Sequence, residues 1–100
     1  TSMSKEVAAG HVKRMLDDLK ASPHSTLRSL PGSRESTDGL PAGARFVLWH
    51  DVLTSGEHLF VVWVTLDQFM GPAVRAMGGF ALTVDGTQRP LTSEEWKRFD

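Results

Sequence analysis

Three residues in the middle of the chain, His50, Asp51 and His58, have side chains that serve in metal sites and in acid–base pairs. They lie on either side of Thr54-Ser55-Gly56-Glu57, a stretch typical of a turn because its glycine can adopt positive φ. The sequence therefore predicts that they lie on the two strands of a hairpin. Whether they act together depends on the register of that hairpin.

Two hairpin registers fit this turn, and we expect a metal site in neither. With a two-residue loop, Trp49 pairs with Val62, and His50 and His58 point to opposite faces of the sheet. With a three-residue loop every pairing shifts by one. The histidines then share a face but are expected to lie four pairs apart, about 13 Å at about 3.3 Å per residue. One ion cannot be held across that gap, because Zn–N bonds are about 2 Å long. In the two-residue register Asp51 lies diagonal to His58, and its carboxylate is expected to raise the pKa of that imidazole.

The other residues with potentially catalytic side chains lack the spacing that catalysis requires. The serines crowd into residues 22–36 without a G-x-S-x-G motif. The carboxylate pairs Asp17-Asp18 and Glu94-Glu95 fall on a polar helix face and at a helix start, where solvated charge is usual. The glycines match no nucleotide-binding motif, and there is no cysteine to act as a nucleophile or metal ligand. The sequence therefore predicts a protein without catalytic activity, cofactor or metal.

Length and composition predict one small domain over residues 1–100. The chain is 40% hydrophobic and 23% charged, as globular proteins are. Its formal net charge of −1 provides no field to attract nucleic acid or an anionic membrane. The apolar runs are far shorter than the roughly 20 residues that span a bilayer, so we expect a cytoplasmic protein. Thr1 and Ser2, ahead of Met3, are typical of a cloning remnant.

The first part of the chain predicts a long helix and then an irregular segment. From Ser4, a suitable N-cap, to about Ala21, apolar residues recur at spacings of three and four. Residues 22–43 are dense in Ser, Pro and Gly. We predict a mobile loop over residues 31–43, since a connection of this length is uncommon in a compact domain. Residues 26–30 remain open between an edge strand and a single helical turn.

A hairpin and a short helix are expected next. The hairpin spans residues 46–66, where β-branched and aromatic residues lie on both sides of the turn. The helix is predicted over residues 72–77, because Pro72 suits its first turn and Gly78-Gly79 suits its end.

The last part of the chain predicts a second hairpin and a final helix. Strands are expected at residues 80–84 and 87–91, around a turn that contains Gly86. Thr92 and Glu95 have the spacing of a capping box, which starts a short helix. The order of elements predicts an α+β fold, with an antiparallel sheet of four to five strands, a long N-terminal helix and two short helices in two layers.

Both faces of the second strand of the first hairpin are apolar, so each face needs a cover. Phe60, Val62, Val64 and Leu66 line one side, and Leu59, Val61, Trp63 and Thr65 line the other. The long helix can cover one face, but the short helices are not expected to cover the other completely. We predict that the open face is buried in a homodimer or against another protein, because exposed apolar patches mark interaction sites. The predicted interface residues are Trp49, Phe60, Val62, Trp63 and Val64.

Three alternatives remain open for that face. In the first, the terminal helices and residues 22–43 close over it. In the second, it forms a pocket for a small apolar ligand, oriented by His50, Asp51 and Arg75. In the third, it binds an unfolded client, as a small secretion chaperone does. The sequence favours a noncatalytic protein-interaction or regulatory module over these.

Overall fold

The computed structural model describes residues 5–37, 40, 43–66 and 74–98. Within them the chain forms one antiparallel sheet, with each strand hydrogen-bonded to the next in chain order, together with one long helix and two short ones. The helices are α1 (Lys5–Ala21), α2 (His24–Arg28) and α3 (Ser93–Lys97). The strands are β1 (Ser33–Ser36), β2 (Ala44–Val52), β3 (His58–Leu66), β4 (Val74–Leu82) and β5 (Gln88–Arg89). This arrangement confirms the predicted α+β class.

Helix α1 packs across β4 and β3 on one face of the sheet. Its fully buried residues are Ala8 and Val12, and its Met15, Leu16 and Leu19 are half-buried. These positions recur every three or four residues, as the sequence predicts for a helix with one apolar side. Apart from the half-buried His11, the remaining residues of α1 are exposed to water.

The turn between β2 and β3 has three residues, so the second of the two registers is the one observed. Leu53 N donates to the Glu57 carbonyl at 2.8 Å, and Gly56 N donates to the Leu53 carbonyl at 2.9 Å. Gly56 has a φ of 90°, which places it in the left-handed region that this type of turn requires. As a result, Trp49 pairs with Val61 and not with Val62.

The turn between β4 and β5 repeats this geometry. Thr83 N donates to the Thr87 carbonyl at 2.8 Å, and Gly86 has a φ of 92°. Residues 80–82 of the predicted strand at 80–84 are the end of a longer strand, β4, and residues 83 and 84 belong to the turn. The return strand is shorter than the predicted 87–91, because Pro90 has no N–H to continue the ladder.

Residues 74–77 belong to β4, so the short helix predicted over 72–77 was wrong for these four residues. The rest of that predicted helix, including Pro72, lies outside the described residues. β4 pairs with β3 along its whole length, and Gly78-Gly79 lies in the interior of this strand. The backbone ladder and the packing on both faces of the sheet therefore outweigh the local helix signals of Pro and Gly.

The two glycines of β4 each permit a close approach on one face. A Cβ atom on Gly78 would lie 2.5 Å from Leu16 Cδ1, so α1 rests directly on this position. A Cβ atom on Gly79 would lie 2.6 Å from the Phe60 carbonyl oxygen and 2.8 Å from Leu91 Cδ1. At these two positions β4 is thus covered on both faces, and a larger side chain would push the covering elements away.

Two short elements lie within the Ser, Pro and Gly-rich segment. Helix α2 covers most of the region that the sequence left open, and its Leu27 is fully buried in one cluster with Phe60 and Phe80. Strand β1 lies inside the predicted mobile loop over 31–43 and pairs with residues 46–49 of β2.

Helix α3 begins at the predicted capping box, which the structure confirms. Thr92 Oγ1 accepts from Glu95 N at 3.2 Å, and the Glu95 carboxylate accepts from Thr92 N at 2.9 Å. On the sheet face opposite α1, Leu91 and Trp96 pack in one cluster with Leu59. The C-terminal segment therefore covers part of the second face.

Some sequence predictions concern residues outside the described part of the chain. They are the cloning remnant at Thr1 and Ser2, the N-cap at Ser4, and the parts of the mobile loop at residues 38, 39, 41 and 42.

Candidate interaction surface

The sheet face opposite α1 has an apolar area over β2, β3 and β4, beyond the part that α3 covers. It is formed by Val47, Trp49, Trp63 and Met77, which we call the tryptophan face. Three of these side chains are half-buried, whereas Trp49 is 40% exposed. An aromatic side chain this accessible on a sheet face is the clearest sign of an uncovered surface.

The strand register brings the two tryptophans together. Trp49 pairs with Val61 and Val47 pairs with Trp63, so the indoles are diagonal neighbours on one face. Their ring centroids are 5.9 Å apart and their planes are 85° apart, which is an edge-to-face contact. Such a contact contributes about 0.5–1.5 kcal/mol beyond area burial. Trp49 is therefore held in position although much of its surface remains in water.

Charged residues of both signs surround the tryptophan face. The Arg75 guanidinium lies over the Trp63 ring, 5.5 Å from its centroid, in a cation–π contact. Across the sheet, Arg45 and Glu35 form an ion pair at 3.1 Å, and both side chains are more than half exposed. The face thus has an apolar centre and a charged edge, which is the usual anatomy of a protein interface.

A cluster of ion pairs centred on Arg89 fixes α3 against the sheet. Arg89 donates from its two terminal nitrogens to the Glu95 carboxylate, at 2.8 and 2.9 Å, and from Nε to Glu57 at 3.1 Å. These hydrogen bonds stabilise the charged form of each partner. They lower the pKa of Glu95 to about 2, lower the pKa of Glu57 and raise the pKa of Arg89. The cluster joins the first hairpin turn, β5 and α3.

The two histidines lie on the α1 side of the sheet and are in direct contact. His50 Nε2 is 2.7 Å from His58 Nδ1, and the rings stack with centroids 4.9 Å apart. The predicted separation of about 13 Å was wrong. His58 pairs with Val52, two residues from His50, and so it lies diagonal to His50.

The Leu30 carbonyl sets the direction of the hydrogen bond between the histidines. His50 Nδ1 is 2.8 Å from the Leu30 carbonyl oxygen. Because a carbonyl only accepts, neutral His50 donates from Nδ1, and its Nε2 accepts from Nδ1–H of His58.

The surroundings lower the pKa of His58 and do not raise it. Burial disfavours the charged imidazolium, and repulsion from His50 and Arg28 adds to this effect. Asp51 lies on the opposite face, where it forms an ion pair with Arg98 at 2.5 Å. The prediction that Asp51 raises the pKa of His58 was therefore wrong. Among the described residues, no group of three or more His, Cys, Asp or Glu side chains is placed to hold a metal ion.

The predicted interface residues divide between the two faces of the sheet. Phe60, Val62 and Val64 lie on the α1 side and are 0, 1 and 0% exposed, so they are core residues within one chain. Trp49 and Trp63 lie on the tryptophan face. Only these last two can meet a partner without unfolding of the chain.

The three predicted ligand-orienting residues do not share a site. His50 lies on the α1 side, whereas Asp51 and Arg75 lie on the opposite face, on β2 and β4. Sequence reasoning missed the contact between His50 and His58. The available signal was the pairing that a three-residue loop over 54–56 implies, because it pairs His58 with Val52, only two residues from His50.

Comparison with known proteins gives no match: no family model, no curated protein and no solved structure resembles the chain at a significant level. In the part of the chain that the structure describes, none of the helices has the length and apolar character needed to cross a bilayer.

Proposed function

We propose that this chain is a noncatalytic protein-interaction module that forms a homodimer through the tryptophan face. The observation that carries the proposal is Trp49, which is 40% exposed while its ring packs edge-on against Trp63. A positioned and accessible tryptophan on an apolar face is the kind of residue that dominates binding energy in protein interfaces.

A second copy of the chain fits the charges around this face. A twofold interface brings the same surface patch of both chains together, so the patch must be complementary to itself. Glu35 and Arg45 lie next to each other on β1 and β2, and Arg75 lies on β4, which allows charges of opposite sign to meet across a twofold axis. The formal net charge of −1 gives little repulsion between copies.

The polar groups near the face support a binding role more than a catalytic one. Asp51 is ion-paired with Arg98, and the Arg75 guanidinium lies over the Trp63 ring. These groups are engaged in holding the surface together. A cytoplasmic location fits the cysteine-free sequence, which needs no oxidising compartment for folding.

Sedimentation equilibrium with a charged variant tests the proposal. The mass of the unmodified chain should rise from 11.0 kDa to about twice that value with increasing concentration. Trp49→Glu should remain monomeric, because an interface centre does not tolerate an unpaired buried charge. The matched control is Val84→Glu in the β4–β5 turn, at a position that is 66% exposed and away from the face, and it should dimerise normally.

Two results would contradict the homodimer. One is a mass of 11.0 kDa for the unmodified chain at every concentration. The other is equal dimerisation of Trp49→Glu and Val84→Glu, which would place the interface on another surface. Far-ultraviolet circular dichroism checks that both variants are folded.

A further inference from the structure

The inner side of β2, opposite the tryptophan face, borders a cavity of about 220 Å³ between the sheet and α1. The cavity exists because α1 packs over β4 and β3 and leaves the inner side of β2 partly uncovered. Its apolar lining residues are Met15, Leu19, Leu30, Phe46, Leu48 and Val62.

The walls of the cavity are fixed by the fold. Leu48 and Val62 form a rigid base, because they are 4 and 1% exposed and pair directly across β2 and β3. The Leu30 wall is held by the hydrogen bond from His50 Nδ1 to the Leu30 carbonyl oxygen at 2.8 Å. A cavity with preformed walls binds a ligand without the cost of ordering them.

The size of the cavity sets the size of the ligand. An engineered apolar cavity of about 150 Å³ binds benzene. The cavity beside β2, at about 220 Å³, is larger by enough to accept a second fused ring. The aliphatic and aromatic lining favours a flat apolar ring over a polar one.

Two exposed charges of opposite sign also line this cavity. Asp18 comes from α1 and Arg34 from β1, so they reach the cavity from different elements. Neither side chain forms an ion pair with a described residue. Both charges are therefore available to a ligand, and their opposite signs favour one that carries both a cation and an anion.

We propose that this cavity binds a small zwitterionic aromatic molecule of the aromatic amino acid class. The ring occupies the apolar cavity, the ammonium group lies toward Asp18, and the carboxylate lies toward Arg34. The site is separate from the proposed dimer interface, because β2 lies between them. A ligand of this size is expected to bind with a Kd of about 0.1–1 mM.

Titration calorimetry and ligand-observed NMR with four indole compounds test the proposal. Indole has the ring alone, tryptamine adds the cation, indole-3-acetate adds the anion, and L-tryptophan has both charges. L-tryptophan should bind about tenfold more tightly than indole, since each exposed charge contact contributes about threefold. Tryptamine and indole-3-acetate should bind more weakly than L-tryptophan.

Charge variants separate the two contacts. Arg34→Gln should weaken the binding of L-tryptophan and indole-3-acetate about threefold, and it should not weaken the binding of tryptamine. Asp18→Asn should weaken the binding of L-tryptophan and tryptamine, and it should not weaken the binding of indole-3-acetate. Met15→Trp should fill the cavity and abolish binding, whereas its control Ala9→Trp, at an exposed position of α1, should not.

Several results would overturn the proposal. For the unmodified chain, these results are that none of the four compounds binds, that all four bind equally, or that a singly charged compound binds more tightly than L-tryptophan. For the variants, it is that Met15→Trp and Ala9→Trp bind L-tryptophan equally. Trp49→Glu should bind L-tryptophan as the unmodified chain does. The ligand site and the dimer interface can therefore fail independently.

Discussion

β2 and β4 flank the same central strand, yet β4 is closely covered on both faces at Gly78 and Gly79, whereas β2 is partly open on both faces. On β4, α1 rests on Gly78 and Leu91 approaches Gly79 from the other side. On β2, Trp49 is exposed on one face, and a cavity borders Phe46 on the other. Both proposed binding sites therefore include residues of β2.

The difference follows from the dimensions of the elements. A helix is about 10 Å wide and neighbouring strands are about 4.8 Å apart, so one helix covers about two strands. The single long helix, α1, covers β4 and β3, where Gly78 allows the closest approach. A small domain with an apolar sheet and one long helix concentrates its cover on one half, and the other half is less covered.

The largest difference between the covered and open parts of the sheet should come from truncating an aromatic residue in each. Phe60→Ala removes a side chain with 0% exposure that stacks on Phe80, and should lower the free energy of unfolding by about 3–5 kcal/mol. Trp49→Ala should lower the free energy of unfolding of the monomer by about 1 kcal/mol, mainly because the contact with Trp63 is lost. Urea unfolding at low protein concentration measures both. Equal decreases in the free energy of unfolding for Phe60→Ala and Trp49→Ala would show that the two regions are equally covered, and would contradict this account.

Adding one methyl group tests the close packing of β4. Gly79→Ala should lower the free energy of unfolding by about 2–3 kcal/mol, because the new Cβ would collide with the Phe60 carbonyl oxygen and Leu91. The matched control is Gly10→Ala in α1, where no atom lies within 4 Å of the added Cβ. It should raise stability by about 1 kcal/mol through helix propensity. A Gly79→Ala variant as stable as the unmodified chain would show that β4 is not tightly covered.

Removing the centre of the ion-pair cluster should loosen the cover of the second face. Arg89→Met should lower the free energy of unfolding by about 1–3 kcal/mol, because two partly buried carboxylates lose their partner. The effect depends on pH. The folded-state pKa of Glu95, about 2, lies below the ordinary 4.5, so the unmodified chain loses stability as pH falls from 4.5 toward 2. Arg89→Met should show a flatter acid limb in urea unfolding, and an unchanged limb would contradict the role of Arg89.

The smallest effect is expected at the histidine contact that supports the β2 half. The folded-state pKa of His58 lies below 6.5, so the unfolded chain takes up the proton first as pH falls. The free energy of unfolding should therefore decrease as pH drops below 6.5. His58→Gln should remove most of this decrease, whereas the control His11→Gln on α1 should not. An NMR titration in which the pKa of His58 lies above 6.5 would contradict the assignment.

Local signals in the sequence predict much of this fold, while contacts between distant residues decide the rest. The capping box at Thr92 and Glu95 and the turn glycines need only neighbouring residues, and these predictions were confirmed. The Gly78-Gly79 pair reads locally as a helix end, but its use is to admit α1 on one face and Leu91 on the other. No local pattern reports such an approach.

The candidate sites were predictable to different degrees. The alternation of apolar residues along β3 predicted that Trp63 and Phe60 lie on opposite faces, but it did not indicate which face α1 covers. The register that brings Trp63 next to Trp49 depends on the turn. The sequence prediction considered the observed register but overestimated the separation of the histidines along the strands, because His58 pairs with Val52, two residues from His50. The cavity between α1 and β2 depends on where the helix crosses the sheet, and packing alone determines that.

Hydroxyl-radical footprinting over a range of protein concentration would show directly which side of β2 closes on self-association. Oxidation of Trp49 should fall as the mass doubles. Met15, at the cavity, and Trp96, in the C-terminal segment, should react at constant rates. A constant rate at Trp49 during dimerisation, or protection of Met15 in its place, would contradict self-association through the tryptophan face.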